Sequence, residues 1–356
     1  MQSYLNIIKD KYDITPESMS QRTPLHESIS GLAGITLIVG SSGSGKTTVL
    51  RREFAGTPPL MDENKSIIEC FDSPEVAEKL LIAFGLRSIP AWFRTINQVS
   101  NGERHRAECA FYVSKGFAFI DEFTSVIDRD TAKSLAFALR KYVDNHDINR
   151  LVLASCHRDI IEWLQPDHTL DMDAVKLTSR GSLRQRPQIN LRIEASTNED
   201  WIYFKKHHYL DSKISKSCHF HTAYIDRKPV AFLAVMHRCG RDIRSYWGES
   251  RLVVIPEFQG LGIGFALSEA VGEEYISRGL RYFSKTAHPA LGTKRNGSNK
   301  WRATSTNMQK RRSYLTKEGK ARKQAGFGKT EEAIYRDAKR VCYSHEYMGD
   351  LACTKQ

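Results

Sequence analysis

Gly40-Ser41-Ser42-Gly43-Ser44-Gly45-Lys46-Thr47, entered directly from the apolar run Ile35 to Val39, decides the reading of the first half of this chain. The octet fits G-x-x-x-x-G-K-[ST] in the context that the pattern needs, a strand before and a helix after. Glycines let the backbone curl until its N–H groups point inward at a polyphosphate. Lys46 can then reach the β- and γ-phosphates, and the Thr47 hydroxyl can ligate Mg2+. The helix that starts near Lys46 adds its positive end to the same site. Gly40, Ser41, Ser42, Gly43, Ser44, Gly45, Lys46, Thr47 and Thr48 are therefore candidate cofactor-binding residues.

Further along, Phe117-Ala118-Phe119-Ile120-Asp121-Glu122 reads as an apolar strand ending in two carboxylates, and Ser100-Asn101-Gly102-Glu103 as the start of a helix before it. Ser125-Val126-Ile127-Asp128 follows, and then a second apolar strand, Leu151 to Cys156, closing on His157. Asp121 can hold the Mg2+ that Thr47 touches. Glu122 is placed to polarise an attacking water, and His157 to sense a γ-phosphate.

In that order the pieces resemble the ABC ATPase superfamily over about residues 1–185: phosphate loop, a Ser-Asn-Gly-Glu signature, acidic strand, D-loop and switch histidine. The resemblance implies ATP and Mg2+ as cofactors, with Thr47 and Asp121 as metal ligands and Glu122 and His157 as catalytic residues. It also implies that Ser100 and Gly102 act on the nucleotide of an opposite subunit, hence an ATP-bridged homodimer. Two departures stand out. No glutamine lies between Arg52 and Asn97 for the Q-loop, leaving Asp72, after an expected strand Ser66 to Phe71, or Gln98. The aromatic that stacks on adenine is unassigned, with Tyr4 and Tyr12 as candidates. The short interval from Lys46 to Asp121 leaves little room for the helical subdomain that couples transporters to membrane partners.

The chain has 356 residues, comfortable for two domains that each bury a core. No apolar run approaches the ~18 residues of a membrane span, and no membrane partner is expected. Seven scattered cysteines without a C-x-x-C pair and the mixed charges of residues 1–13 suggest a reduced, cytoplasmic protein. Net charge is +12, yet residues 281–340 alone hold 17 Lys/Arg against 4 Asp/Glu. A charge excess confined to one segment suggests a surface facing a polyanion.

Leu183-Arg184-Gln185-Arg186-Pro187 is polar, basic and ends in proline, so the domain boundary is expected at 187/188. Beyond it the pattern predicts a strand at Ile189 to Ile193, a helix near Glu199 to Tyr209 and a strand His219 to Ile225. A turn follows at Asp226 to Pro229, then strands Val230 to His237 and Arg251 to Ile255. Gln259-Gly260-Leu261-Gly262-Ile263-Gly264 follows the last strand and precedes a helix through Phe265 to Ser277. Such a loop can be a dinucleotide fingerprint. However, no acidic residue ends a following strand near Phe283, and hairpins precede the loop, which argues against that unit. His207, His208, Cys218, His219 and His221 cluster in sequence but meet no standard metal-ligand spacing.

This layout resembles the GNAT acyltransferase superfamily over about residues 188–350, where Q/R-x-x-G-x-G/A cradles the coenzyme A pyrophosphate. The resemblance implies acetyl-CoA held by Gln259, Gly260, Leu261, Gly262, Ile263, Gly264 and Phe265. Main-chain groups of Val253, Val254 and Ile255 would orient the pantetheine and polarise the thioester. Glu249, expected just before the strand, or His288 is a candidate base. Tyr343 or Tyr347, on an expected last strand Val341 to Tyr347, is a candidate proton donor.

From Arg281 to Arg312 cations interleave with aromatics and polar residues, as suits a phosphate backbone and stacked or extruded bases. With the Ser-Lys-Thr-x-His-Pro region, this is similar to the Mom-like GNAT branch of phages and mobile elements. The expected fold is thus α/β: an ABC-type ATP-binding domain over 1–187, then over 188–356 a GNAT-like domain with a mixed, mostly antiparallel sheet and a basic insert at 281–340. The expected function is acetyl-CoA-dependent modification of a nucleic-acid base, DNA before RNA, with ATP hydrolysis. The alternatives are a protein or peptide acetyltransferase, and an ATP-gated nucleic-acid clamp with a non-catalytic GNAT domain.

Overall fold

The computed structural model describes residues 4–12, 15, 28–54, 56–117, 119–146, 148–181, 187–208, 214–238, 245–310 and 341–350. Two compact units, Met1–Gln188 and Ile189–Gln356, divide the chain. The polar join at 183–186 and the second half of the basic segment, 311–340, lie outside the described residues.

In the first unit, β1 (Gly34–Val39), β2 (Phe119–Ile120), β3 (Arg150–Ser155), β4 (His168–Asp171) and β5 (Lys176–Ser179) form a sheet in the order β2-β3-β1-β4-β5. All pairs are parallel except β4–β5. β1 and β3 are buried at every position but the first, which is why they read as unbroken apolar runs and not as alternations. Their two faces serve different layers. Ile35, Leu37 and Val39 join one core cluster, while Ile38, Val152 and Ala154 join another with Val49 and Leu50. The latter pair belongs to α2 (Lys46–Glu53), the second described helix after α1 (Tyr4–Lys11).

The first of these clusters is covered by α3 (Pro74–Ala83), α4 (Asn101–Ser114) and α5 (Arg129–Asp144). Ser100 caps α4 in a reciprocal box: Glu103 N–H donates to Ser100 Oγ at 3.3 Å and Ser100 N–H to Glu103 Oε2 at 3.0 Å. Asp128 caps α5 by accepting from Thr131 N–H at 2.9 Å. One expectation fails here. Residues 66–71 form no strand; Ile67–Cys70 is a 3-10 turn closed by a Ser66/Glu69 capping box. An apolar Ile-Ile pair suggested a strand, but the Ser-x-x-Glu frame around it satisfies the local N–H groups as a turn instead.

The second unit contains β6 (Arg192–Ser196), β7 (His219–Ile225), β8 (Lys228–Arg238), β9 (Tyr246–Val254), β10 (Tyr282–Thr286), β11 (Trp301–Ala303), β12 (Gln309–Lys310) and β13 (Val341–Tyr347). Their order is β11-β13-β10-β9-β8-β7-β6, with β12 on β13. Three helices accompany them: α6 (Asn198–Phe204), α7 (Ile263–Ser277) and α8 (Pro289–Asn296). The sheet is antiparallel except for β9–β10, which α7 joins as a crossover. β7 and β8 meet in a tight turn with Asp226 and Arg227 at φ 46° and 68°, the left-handed pair of a type I′ hairpin.

Three expected boundaries move. β6 begins at Arg192 and not at Ile189, because it is an edge strand with exposed positions and its apolar pattern does not mark its ends. α6 stops at Phe204, a 3-10 turn Lys205–His207 follows, and Tyr209 lies outside the described residues. β9 starts five residues before Arg251, so Glu249 lies inside the strand instead of ahead of it. No described helix is long and apolar enough to cross a membrane.

Candidate functional site

Because β2, β3 and β1 run parallel, their carboxyl ends bring Asp121–Glu122, Ser155–His157 and the Gly40 loop to one edge of the sheet. Gly43 and Gly45 stand at φ 81° and 95°, and Gly45 leads into α2. A Cβ on Gly40 would lie 2.6 Å from Ser44 Oγ and 2.8 Å from Met172 Cβ, so this corner closes only without a side chain. Lys46 is 6% exposed; its Nζ donates to the Gly40 and Ser41 carbonyls, both at 2.8 Å, spanning the loop from inside. Ser44 Oγ is buried and has no partner among the described residues. An orphaned hydroxyl and the first N–H groups of α2 in one concave turn fit a polyphosphate.

Thr47 Oγ1 donates to Asp121 Oδ2 at 2.7 Å, and Asp121 Oδ1 accepts the Glu122 N–H at 2.9 Å. A hydroxyl and a carboxylate in contact form an oxygen donor set that suits Mg2+. Glu122 sits at φ 53° and its carboxylate accepts from Ser125 Oγ. His157 meets Thr124 Oγ1 at 3.1 Å; burial first, and then the Arg129 cation, lower its pKa and so favour the neutral ring. Ser100 is exposed and Gly102 half-buried at the start of α4. Of the Q-loop stand-ins, Gln98 caps its own turn by accepting from Thr95 N–H at 3.1 Å, and Asp72 pairs with Lys115. Tyr4 and Tyr12 are exposed on and just after α1.

Two residues that the sequence did not single out fasten this loop. Asp173 accepts from Ser41 N–H at 3.0 Å and from Ser41 Oγ at 3.0 Å, while Arg158, the neighbour of His157, donates to Asp173 at 2.8 Å and also pairs with Asp171. The Arg158 hydrogen bonds hold the Asp171 carboxyl down at about 2. Asp173 follows β4 with no motif around it, so only the fold could show this contact.

In the second unit, β9 and β10 pair only at Trp247–Tyr282 and Gly248–Phe283 and then part. β9 bulges at Ser250, where its register against β8 slips between Glu249 and Arg251. From Glu249 to Val254 the strand is paired to β8 alone, leaving its other edge open next to the loop 259–264. Gly260 and Gly262 stand at φ 99° and 86°, and a Cβ on Gly264 would press to 3.0 Å of Val254 Cγ2. Gln259 Nε2 donates to the Val254 carbonyl at 2.9 Å and so ties loop to strand, while Val253 and Ile255 are buried beneath. Leu261, Ile263 and Phe265 complete the turn into α7, whose first N–H groups lack helical acceptors. Lys294 Nζ lies 4.0 Å above the Phe265 ring. A tight backbone cradle at a helix N-terminus beside an open strand edge fits a pyrophosphate-bearing cofactor with an extended arm.

Glu249 does not stand as a base. Arg295, 0% exposed, donates to it at 3.0 and 3.1 Å, Tyr282 OH donates at 3.0 Å, and Ser268 and Ser284 hydroxyls complete the set. Both carboxylate oxygens are consumed by this buried network, leaving no lone pair for an acceptor's proton. Tyr347 is likewise displaced: it pairs with Tyr282 at the closed end of β9–β10, is buried, and donates to Glu273 at 3.1 Å. Tyr343 pairs with Thr286 at the open end, half-buried, with its ring against Gly292. His288 is exposed at the start of α8, on the same side. His219 contacts Tyr275 OH at 2.8 Å, and no metal-binding group of His, Cys, Asp and Glu occurs among the described residues.

Residues 186–293 match the acetyltransferase (GNAT) family, so the second unit carries a GNAT acetyltransferase domain. No curated protein matches the chain. Among solved structures, the ribosomal-protein-S18-alanine N-acetyltransferase from Escherichia coli aligns at 14% identity over 44% of this chain and 93% of its own, with a TM-score of 0.29. A Bacillus subtilis acetyltransferase in complex with CoA aligns at 12% identity over 45% of this chain and 99% of its own, TM-score 0.30. A dimeric bacterial ABC transporter cassette aligns at 16% identity over 39% of this chain and 80% of its own, TM-score 0.29.

Proposed function

We propose that the protein transfers an acyl group from acetyl-CoA to a nucleic-acid base, with an ATP-hydrolysing first unit that engages the same polymer. The observation that carries the transferase reading is the parting of β9 from β10 beside the Gly260–Gly264 cradle, within the residues that match the acetyltransferase family. The cofactor supplies an activated thioester; the chain's part is to grip the phosphates at the start of α7 and to offer the free β9 edge to the arm. Tyr343 and His288, at the open end, are the groups placed for proton transfer.

For the first unit, Mg-ATP supplies the scissile phosphoanhydride. Thr47 and Asp121 are the residues that would hold the metal, Lys46, now on its loop carbonyls, would meet the phosphates, and Glu122 would orient water. Ser100 and Gly102 complete the site of a second copy. The polyanion part rests on charge: 17 cations against 4 carboxylates in residues 281–340, ten of the cations in 311–340.

A second reading, a protein or peptide acceptor, is favoured by pairing inside the domain. Arg281 and Arg302 both bind Glu346, Arg295 binds Glu249, and Lys300 binds Asp350, so these four cations are already matched. Acetyl-CoA turnover by purified protein with DNA, tRNA or lysine peptides, with and without ATP, separates the readings. Turnover that requires nucleic acid supports the first and turnover with peptide alone the second. No acetyl-CoA binding at all refutes both.

A further inference from the structure

His157 leaves β3 two residues after Ser155, and its ring is wired to two buried hydroxyls. Thr124 Oγ1 lies 3.1 Å from His157 Nδ1 and 2.7 Å from Ser155 Oγ, while the His157 backbone N–H donates to Ser155 Oγ at 3.0 Å. Thr124 and Ser155 are both 0% exposed, so bulk solvent does not reach either hydroxyl. Each hydroxyl has one proton to place.

Among the described residues, Ser155 Oγ has two hydrogen-bond partners, the His157 N–H, which only donates, and Thr124 Oγ1. The Ser155 proton must therefore go to Thr124 Oγ1. Thr124 then has one acceptor left for its own proton, His157 Nδ1. The reverse chain, with Nδ1–H donating to Thr124 and Thr124 to Ser155, leaves the buried Ser155 proton with no acceptor. A ring whose Nδ1 accepts carries its proton on Nε2 when neutral. We propose that Thr124 and Ser155 are positioning residues that hold His157 as the neutral Nε2–H tautomer, so that it meets a nucleotide γ-phosphate as a hydrogen-bond donor and not as a proton acceptor. The inference rests on the nucleotide reading of the first unit.

The charges facing the ring agree with a neutral donor: burial and Arg129 disfavour its protonation, against weaker opposition from Asp159 and Glu122. A donor at this position rewards a phosphate oxygen and leaves water activation to Glu122.

The test is the 15N–1H long-range spectrum of the full chain labelled at histidine, with His157 assigned by its loss in His157→Gln. The expected spectrum shows Nε2 protonated and Nδ1 bare, and Thr124→Val moves His157 toward a mixture of tautomers while Thr124→Ser preserves the wild-type pattern. An Nδ1–H tautomer in the wild type, or a Thr124→Val spectrum identical to it, overturns the proposal. In parallel, Thr124→Val should lower kcat for ATP about tenfold with KM changed less than about twofold, and Thr124→Ser should recover it. If the wild-type protein neither binds nor hydrolyses ATP, the nucleotide reading fails, and the tautomer spectrum still decides the hydroxyl relay on its own.

Discussion

Arg295 is the largest fully buried side chain among the described residues, with its guanidinium 4.4 Å from the Trp301 ring and hydrogen-bonded to Glu249, Ser268 and Ser284. A charge so placed contributes through its partner: removing one member strands the other in an apolar core. Arg295→Met is expected to destabilise the second unit by about 3–5 kcal/mol, and Arg295→Met with Glu249→Gln by clearly less, read from urea midpoints. Near it, His345 is 0% exposed, with Nε2 2.7 Å from Asn296 Oδ1 and Nδ1 without a partner among the described residues. Burial, then Arg295, lowers its pKa to about 4. Between about pH 6.5 and 4 the unfolded chain thus binds more protons at this site than the folded one. The stability from His345 is complete above about pH 6.5 and falls away as pH drops toward 4, by something on the order of 2 kcal/mol. His345→Gln should flatten that slope; an equally steep profile in the variant would assign the acid loss elsewhere.

α8 is placed by an absence of side chain. A Cβ on Gly292 would lie 2.0 Å from Tyr343 Cγ, so the helix rests its backbone on the ring and carries Lys294 and Arg295 to the loop and the core respectively. Gly292→Ala should cost about 1–3 kcal/mol by overpacking, partly recovered when Tyr343→Ala is added, in thermal or urea melts. The sequence disclosed elements in proportion to their burial. β1 and β3 were legible as apolar runs, and α4 through Ser100 and Glu103. β6 was misplaced because its exposed edge carries little pattern, and residues 66–71 because a capping box outweighed two isoleucines. At the sites, the glycine loops were readable since their spacing is local. The partners of Glu249 were not, because Ser268, Ser284 and Arg295 reach it from three separate elements, and a lone glutamate on a strand looks the same whether free or saturated.

Across the whole chain, positive charge is concentrated late, yet inside 281–310 at least four of seven cations already hold carboxylate partners. Nucleic-acid affinity drawn from this part alone would show a shallow salt dependence; a steep one would point to the ten cations of 311–340. Each chain has one phosphate loop and one Ser-Asn-Gly-Glu helix start, and the latter sits at the surface. Within the chain Ser100 Oγ is occupied by its own cap, accepting from Glu103 N–H and donating to Glu103 Oε2 at 3.0 Å. The positive end of α4 is nevertheless open to an incoming anion, and a partner's γ-phosphate would compete with Glu103 for the same hydroxyl and N–H groups. Association should then depend on nucleotide that stays intact. Glu122→Gln with saturating Mg-ATP is expected to sediment as a dimer, and to return to monomer when Lys46→Ala is added or ATP is withheld. A Glu122→Gln chain that binds ATP and remains monomeric across a rising concentration series would refute completion of the site in trans.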